Sequence, residues 1–387
     1  MDLHFRRLAW KNHRFHGRDE DEEPHVNSAE GEQGSAFLGR HQGDTLASSA
    51  VARYSRWNGP GRPFSIGACR LPGSVRAGEV LVSVDLATIC GSDVKTVTGQ
   101  RPGLVPCVLG HEQVGTVVAA GVGARVVVGQ RVVWSVTSSC GRCPRCATMP
   151  QKCVDLYKYG HEPFDESQPL TGGLASHCLL RPGTTIVPVP DDLPNEVASL
   201  AACATATAVA AVNAAGPICA GNRALVAGTG MLAIMVTAVL AQRGMHVIVL
   251  SHDQVRGRQL MRFGAVEVTD CAADIDMAFE VSGRAAAAAA AVSALAVGGT
   301  LVLAGSVSPG PTVTIDPEHI VRNLLTITGV HNYLPADLRT AIGFLAEHQR
   351  RYPFAELAVG RWTLAEMDEA FAAARTGGVR QCVFPNA

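Results

Sequence analysis

The sequence predicts an α/β fold in which a doubly wound parallel sheet is joined to a β-rich domain. Short β-branched segments punctuated by glycine fill the first half of the chain, and strand-like and helix-like segments alternate through the second. A G-x-G-x-x-A turn opens that alternation. The 387 residues suffice for two domains with cores of their own. At 47% hydrophobic and 17% charged, with a net charge of −1, the chain has no basic excess to draw it to nucleic acid or to an anionic membrane. Forty glycines against 5% aromatics suit an architecture of tight backbone approaches.

Residues 1–50 are polar, with a basic start, the acidic run Asp19 to Glu23 and no period of 2 or 3.6, and are expected to be a disordered extension. From Val51 onward GEVLVSVDLATIC, GTVVAAGVG and QRVVWSVTSS read as strands of the β-rich domain. The alanine-rich stretch EVASLAACATATAVAAVNAAG has helical composition and ends at Gly216-Pro217. ALVAG, HVIVL, DMAFEV, GTLVLAG and LLTITGV then alternate with helical segments, and their continuous apolar runs argue a parallel sheet covered on both faces. The seven alanines Ala285 to Ala291 fit a crossover helix in that pattern. A helix in ADLRTAIGFLAEH and late strands follow, so the expected division is 51–203 with 335–387 for the β-rich domain and 204–334 for the nucleotide domain. No apolar run is expected to reach the length needed to span a bilayer and the N-terminus lacks a signal-peptide core, so a reducing cytoplasm is the expected compartment.

ALVAGTGMLA places Gly228, Gly230 and Ala233 after a strand and at the start of a helix. There the first glycine makes the turn, the second admits a pyrophosphate to the backbone, and the small third residue lets helix and strand pack closely. The helix N-terminus then meets the phosphates with free N–H groups. This is a dinucleotide (Rossmann) site. At the end of the second strand, where an NAD site usually has Asp or Glu, the chain reads LSHDQVRGR. Ser251, His252 and Arg256 favour a 2′-phosphate and hence NADP(H), while Asp253 leaves NAD(H) open.

Cys140, Cys143, Cys146 and Cys153 fall within fourteen residues, a density that encloses one tetrahedral Zn²⁺ with Zn–S bonds of roughly 2.3 Å. That set is closed and therefore structural. A looser set, Cys90 in CGSD, His111 and Glu112 in GHE, and Cys203 in AACATAT, is scattered too widely for the sequence alone to bring it together. Each of the other cysteines is read as a small buried hydrophobe.

CGSD, GHEQVGTV, the four-cysteine segment, the cysteine beyond it and the Rossmann turn occur in the order of the zinc-dependent medium-chain dehydrogenases/reductases, the alcohol dehydrogenase family, which the chain resembles from about residue 51 to its end. CGSDVKTVTGQRP, MPQKCVDLYKYGHE and LAGSVSPGPTVTIDPEHIVRNLLTITGVHNY resemble the phosphonate-catabolism-associated group within it. The resemblance implies a GroES-like catalytic domain, two zinc ions per chain, a homodimer or homotetramer, and hydride transfer between a nicotinamide and a small polar alcohol or carbonyl, such as a hydroxyalkylphosphonate. It makes Cys90, His111 and Cys203 the catalytic zinc ligands, Glu112 a glutamate beside the metal, Asp93 the carboxylate orienting the histidine, Ser92 the proton-relaying hydroxyl and Thr207 a residue on the hydride face of the nicotinamide. Lys95 stands where many relatives have a relay histidine, and the cysteine segment has six residues between Cys146 and Cys153 where seven are usual. Lys95, Arg101 and Lys158 are candidates for an anionic substrate group. His161 fits either a substrate contact or a surface cap. A polyol, sugar or amino-alcohol dehydrogenase, and a non-catalytic nucleotide-binding redox sensor, are the alternatives.

Overall fold

The computed structural model describes residues 50–376 and 379–387. The expected disordered extension therefore lies outside the described residues, apart from Ala50. A mixed, mainly antiparallel eight-stranded sheet is built around Val80–Thr88, Gln113–Ala120 and Arg131–Ser138. Val80–Thr88 alternates little in burial because it is covered on both faces. Near the C-terminus, Arg380–Val383 pairs antiparallel with Val80–Thr88, and Ala358–Trp362 pairs with Arg380–Val383. The last strand thus sits beside the strand that leads to Cys90.

A second sheet holds six parallel strands in the spatial order Ala265–Thr269, His246–Leu250, Arg223–Ala227, Ile275–Glu280, Leu295–Leu303, Thr326–Gly329. This is the doubly wound order 3-2-1-4-5-6, whose switch point lies between the first and fourth strands. The polyalanine segment is the helix Ala285–Ser293, as its place in the alternation requires.

The run from Asn195 to Ala214 is helical but not uniform: α at Asn195–Ala198, π at Ala201–Thr205 and α again at Ala206–Ala214. It is 20 residues long, apolar enough by length and composition to cross a membrane, and 72% buried inside the protein. The expectation that no segment reaches such length is corrected here; small side chains let this run serve as a core helix. It packs with Pro335–His348 in one apolar core that also takes Leu86, Val114 and Val133 from the first sheet and Ala224, Val226 and Val249 from the second. A π turn disturbs the regular i→i−4 ladder. At this one the Ala202 carbonyl accepts from the buried Tyr333 hydroxyl, which accepts in turn from the Val136 N–H at 3.1 Å. Tyr333 so ties the π turn to the first sheet.

Gly110 and Gly160 lie back to back, both at positive φ (99° and 73°), and a Cβ at Gly160 would collide with the Gly110 carbonyl. The contact brings the residues that follow them, His111 and His161, side by side. Gly160→Ala is expected to destabilise the protein by about 1–3 kcal/mol through strained backbone and forced separation, seen as a lower urea midpoint with an unchanged m-value.

Candidate metal and dinucleotide site

Cys90 precedes the short helix Gly91–Val97 in the N-cap position. Asp93, in the first turn of that helix, accepts from the Cys90 N–H through Oδ2 at 3.1 Å. Its Oδ1 lies 3.2 Å from His111 Nδ1, at ion-pair distance though not aligned as a hydrogen bond. One buried carboxylate therefore fixes both neighbours. Ser92 Oγ is 3.2 Å from His111 Nε2. Cys203 enters from the π turn, and its Sγ is 3.9 Å from that of Cys90. One ligand atom from each of Cys90, His111 and Cys203 lies within 4.8 Å of the others.

This donor set fits zinc. Two sulfurs bound tetrahedrally at about 2.3 Å would be about 3.8 Å apart, close to the spacing observed. The four lobe cysteines fit as well, with Sγ–Sγ distances of 3.9 Å for Cys140–Cys146, 3.5 Å for Cys143–Cys146, 3.8 Å for Cys143–Cys153 and 3.4 Å for Cys140–Cys153. The six-residue spacing before Cys153 does not prevent this convergence.

The electrostatics come from burial and a few charges. Contact with the Cys203 thiol holds the Cys90 thiol well below its ordinary value against the opposing effect of burial, and Arg380 and His111 reinforce it. Burial opposes charge on His111, but Asp93 and Cys90 together raise it to about 10. Glu112 is fully buried and is pushed up to about 7 by burial, which Arg380 partly offsets. Arg380 donates from Nε to Glu112 Oε2 at 2.7 Å and from Nη2 to Oε1 at 2.9 Å, and its Nη2 also lies 3.5 Å from Cys90 Sγ. Thr88 adds a hydrogen bond to Glu112 at 3.0 Å. Sequence reasoning missed Arg380. Its signal was a single cation in the apolar late strand VRQCVF.

At the dinucleotide turn Gly228 has φ +142°, and a Cβ there would sit 3.2 Å from the Ser282 N. A Cβ at Gly230 would meet nothing within 4 Å, so that position faces open space. Gly230 precedes the twelve-residue helix Met231–Gln242, whose N-terminus has no side-chain cap, and Ala233 is fully buried against the strand. An anionic pyrophosphate fits this open, donor-rich end. Ser251 Oγ bonds to Asp253 N and O at 3.0 and 3.1 Å. Asp253 caps the helix Gln254–Gln259 through the Arg256 N–H and lies 3.5 Å from the Arg256 guanidinium, which also reaches the Thr376 carbonyl. His252 is exposed and Thr207 half-buried, one turn beyond Cys203. Lys95 extends to the Gly283 turn, where a Cβ would lie 3.8 Å from its Nζ. Buried Glu280 holds that turn through Ser282 N, Gly283 N and Ser282 Oγ at 2.6–2.7 Å.

Across the cleft, Lys152 Nζ lies 2.6 Å from His331 Nδ1, and a cavity of about 510 Å³ opens there, with Ala304, Ser306 and Gly329 among its walls. Burial lowers the Lys158 ammonium, and Arg101 adds to that lowering. Burial and then Lys152, Lys158 and Arg101 depress His331 to about 4. Among the described residues no carboxylate forms an ion pair with Lys95, Arg101, Lys152 or Lys158.

Comparison with known proteins agrees with this geometry. The family model for the alcohol dehydrogenase GroES-like domain matches residues 76–191, and that for zinc-binding dehydrogenases matches 228–347. The chain belongs to the zinc-dependent medium-chain dehydrogenase/reductase family. Among its relatives, 5-exo-hydroxycamphor dehydrogenase of Pseudomonas putida is 25% identical over 329 residues, 78% of this chain and 90% of that one. Sorbitol dehydrogenase of Halalkalibacterium halodurans is 26% identical over 321 residues, 77% and 89% of the two chains. The solved alcohol dehydrogenase from Thermotoga maritima superposes with a TM-score of 0.80 at 22% identity, over 87% of this chain and 100% of that one. A zinc-binding dehydrogenase from Sinorhizobium meliloti, solved with NADP bound, gives 0.76 at 24% identity over 87% and 100%. The family is one of oxidoreductases acting on alcohols, which gives the cysteine–histidine centre and the open glycine turn a common purpose.

Replacing Arg380 by Met leaves Glu112 buried without its cation, a change expected to cost about 3–5 kcal/mol at pH 8. The loss should shrink on acidification. A carboxyl whose folded pKa exceeds its unfolded value near 4.5 adds stability at low pH and loses it as pH rises through the folded value. Chemical denaturation of wild type and Arg380→Met at pH 5.5 and pH 8 measures both effects.

Proposed function

We propose that this oxidoreductase is a zinc- and NADP(H)-dependent alcohol dehydrogenase that interconverts a small polar alcohol and its carbonyl. The observation that carries the reading is the convergence of Cys90, His111 and Cys203 with the Ser92 hydroxyl beside them. These three ligands would hold the catalytic zinc, and Cys140, Cys143, Cys146 and Cys153 a structural one. When bound, the first ion supplies Lewis acidity, making an alcohol hydroxyl more acidic and a carbonyl more electrophilic. The nicotinamide supplies a hydride acceptor or donor.

The chain's own residues then have separate tasks. Ser92 Oγ relays the proton during oxidation, accepting the one from the substrate hydroxyl as it passes its own on toward solvent, and the relay runs in reverse during reduction. Lys95, facing the Gly283 turn, stands where that proton can leave toward solvent. Asp93 holds the His111 ring and the Cys90 backbone at once. Arg380 and Glu112 form a neutral pair behind Cys90, so Glu112 acts by positioning. Gly228, Gly230 and Ala233 would receive the pyrophosphate, and Thr207, one turn beyond Cys203, would face the nicotinamide.

Two finer features follow. Ser251 in place of a carboxylate, with Arg256 nearby, supports NADP(H). Lys95, Arg101, Lys158 and the neighbouring Lys152 leave the cleft with uncompensated positive charge, which supports a substrate with an anionic group such as a hydroxyalkylphosphonate. Charge left unpaired in a partly desolvated place is costly until a counter-charge arrives.

Ser92→Ala is expected to lower kcat by about 10²–10⁴-fold while zinc content stays unchanged, as measured by steady-state kinetics with metal analysis. Loss of activity together with zinc would contradict a proton-transfer role. Arg256→Ala should reduce the NADPH:NADH ratio of kcat/KM by about tenfold or more, since a charge-assisted hydrogen bond contributes about 1.5–3 kcal/mol. An unchanged ratio removes Arg256 from coenzyme selection. Arg101→Ala should raise KM for phosphonate-bearing alcohols and leave neutral ones unaffected; equal effects on both would refute the anionic-substrate reading.

A further inference from the structure

The irregular turn of the core helix carries Cys203, and its hydrogen bonds show what keeps it irregular. The Thr205 N–H bonds the Leu200 carbonyl, five residues back. The Ala206 N–H reaches the carbonyls of Ala201 and Cys203 and passes over that of Ala202, its partner in a regular α-helix. Ala202 is fully buried, and its carbonyl accepts from the Tyr333 hydroxyl instead. That hydroxyl is anchored outside the helix it serves. Its oxygen accepts from the Val136 N–H at 3.1 Å, within the strand Arg131–Ser138. The two residues before Tyr333 are tied to the cysteine lobe, Asn332 Nδ2 donating to the Gln151 carbonyl at 3.3 Å and His331 Nδ1 lying 2.6 Å from Lys152 Nζ.

Without that donor a buried carbonyl is left unpaired, and the helix can satisfy it only by returning it to the Ala206 N–H in the α register. A register change of one residue turns the backbone by about 100°. Cys203, the next residue, would then turn away from Cys90, whose sulfur now lies 3.9 Å from its own. We propose that Tyr333 is a positioning residue for the metal centre: its hydroxyl holds the helix in the π register and so aims the Cys203 thiol at the point where Cys90 and His111 meet. This rests on the zinc reading of that site and adds to it a residue that touches neither metal nor substrate.

The test follows zinc release from fully loaded protein to a chromogenic chelator. Wild type should release two zinc ions per chain in two phases, and Cys203→Ser, which removes one ligand of the open centre, identifies the phase that belongs there. Tyr333→Phe should speed that phase by about tenfold or more and leave the four-cysteine phase within about twofold of wild type. Tyr159→Phe controls for lost stability. That fully buried phenol also accepts a backbone N–H, from Arg181 at 2.8 Å, and its loss should leave release from the centre at the wild-type rate. Placing 4-aminophenylalanine at position 333, which can still donate to Ala202, should restore slow release. With Co²⁺ in place of Zn²⁺, the ligand-field bands should change in Tyr333→Phe and not in Tyr159→Phe. Release from the centre at the wild-type rate in Tyr333→Phe, or equal acceleration of both phases, would overturn the proposal while leaving the zinc reading intact. If wild type itself holds a single zinc per chain, the zinc reading fails and the proposal with it. Should Tyr333→Phe not fold, 4-fluorophenylalanine at the same position fills the space without a donor and is judged by the same rates.

Discussion

Everything in this molecule answers to one requirement: two thiols and an imidazole from three distant parts of the chain must meet at one point. Cys90 arrives just after a mostly buried strand, His111 just ahead of the next, and Cys203 on a helix that runs through the shared core. None could be held by local structure alone. Asp93 ties the first two together with a single carboxylate, and the π turn carries the third, its freed carbonyl held by Tyr333. The C-terminal strand then closes the arrangement from behind, bringing Arg380 onto Glu112 and Cys90.

Charge is distributed in the same economical way. Behind the centre, the fully buried Glu112 and the half-buried Arg380 cancel each other, and little net field remains. In front of it the balance is uneven, because among the described residues Arg101, Lys152 and Lys158 meet no carboxylate of their own. Beside these cations sits the half-buried imidazole of His161, its Nδ1 at the Tyr159 carbonyl oxygen.

Much of this was legible in the sequence, and for identifiable reasons. The glycine turn at 228–233 and the cysteine segment at 140–153 are local motifs whose spacing is their geometry, so they could be read directly. The alternation of apolar strands and helices sufficed for the six-stranded parallel sheet, including the polyalanine helix at 285–293. Cys90, His111 and Cys203 were recognisable only through family resemblance, since no period or spacing brings residues 113 positions apart into contact. Tyr333 was invisible, and Arg380 showed only as a lone cation in an apolar strand, because their importance comes from long-range partners, Ala202 and Glu112. The length of the apolar run at 195–214 was misjudged for a related reason: alanine and threonine dilute a span that is buried by packing and not by lipid. The selection of coenzyme at Ser251 and Arg256 was read from residue types, whereas the structure shows the Ser251 hydroxyl and the Asp253 carboxylate engaged with their own loop.

The most direct check on the shared metal centre is zinc K-edge X-ray absorption on fully loaded protein. One closed cysteine site and one Cys₂His site with a light atom in the remaining position average to about three sulfur and one nitrogen or oxygen neighbour per zinc, and two zinc ions per chain should be found. A single zinc per chain surrounded only by sulfur would contradict the account, because Cys90, His111 and Cys203 would then hold no metal between them.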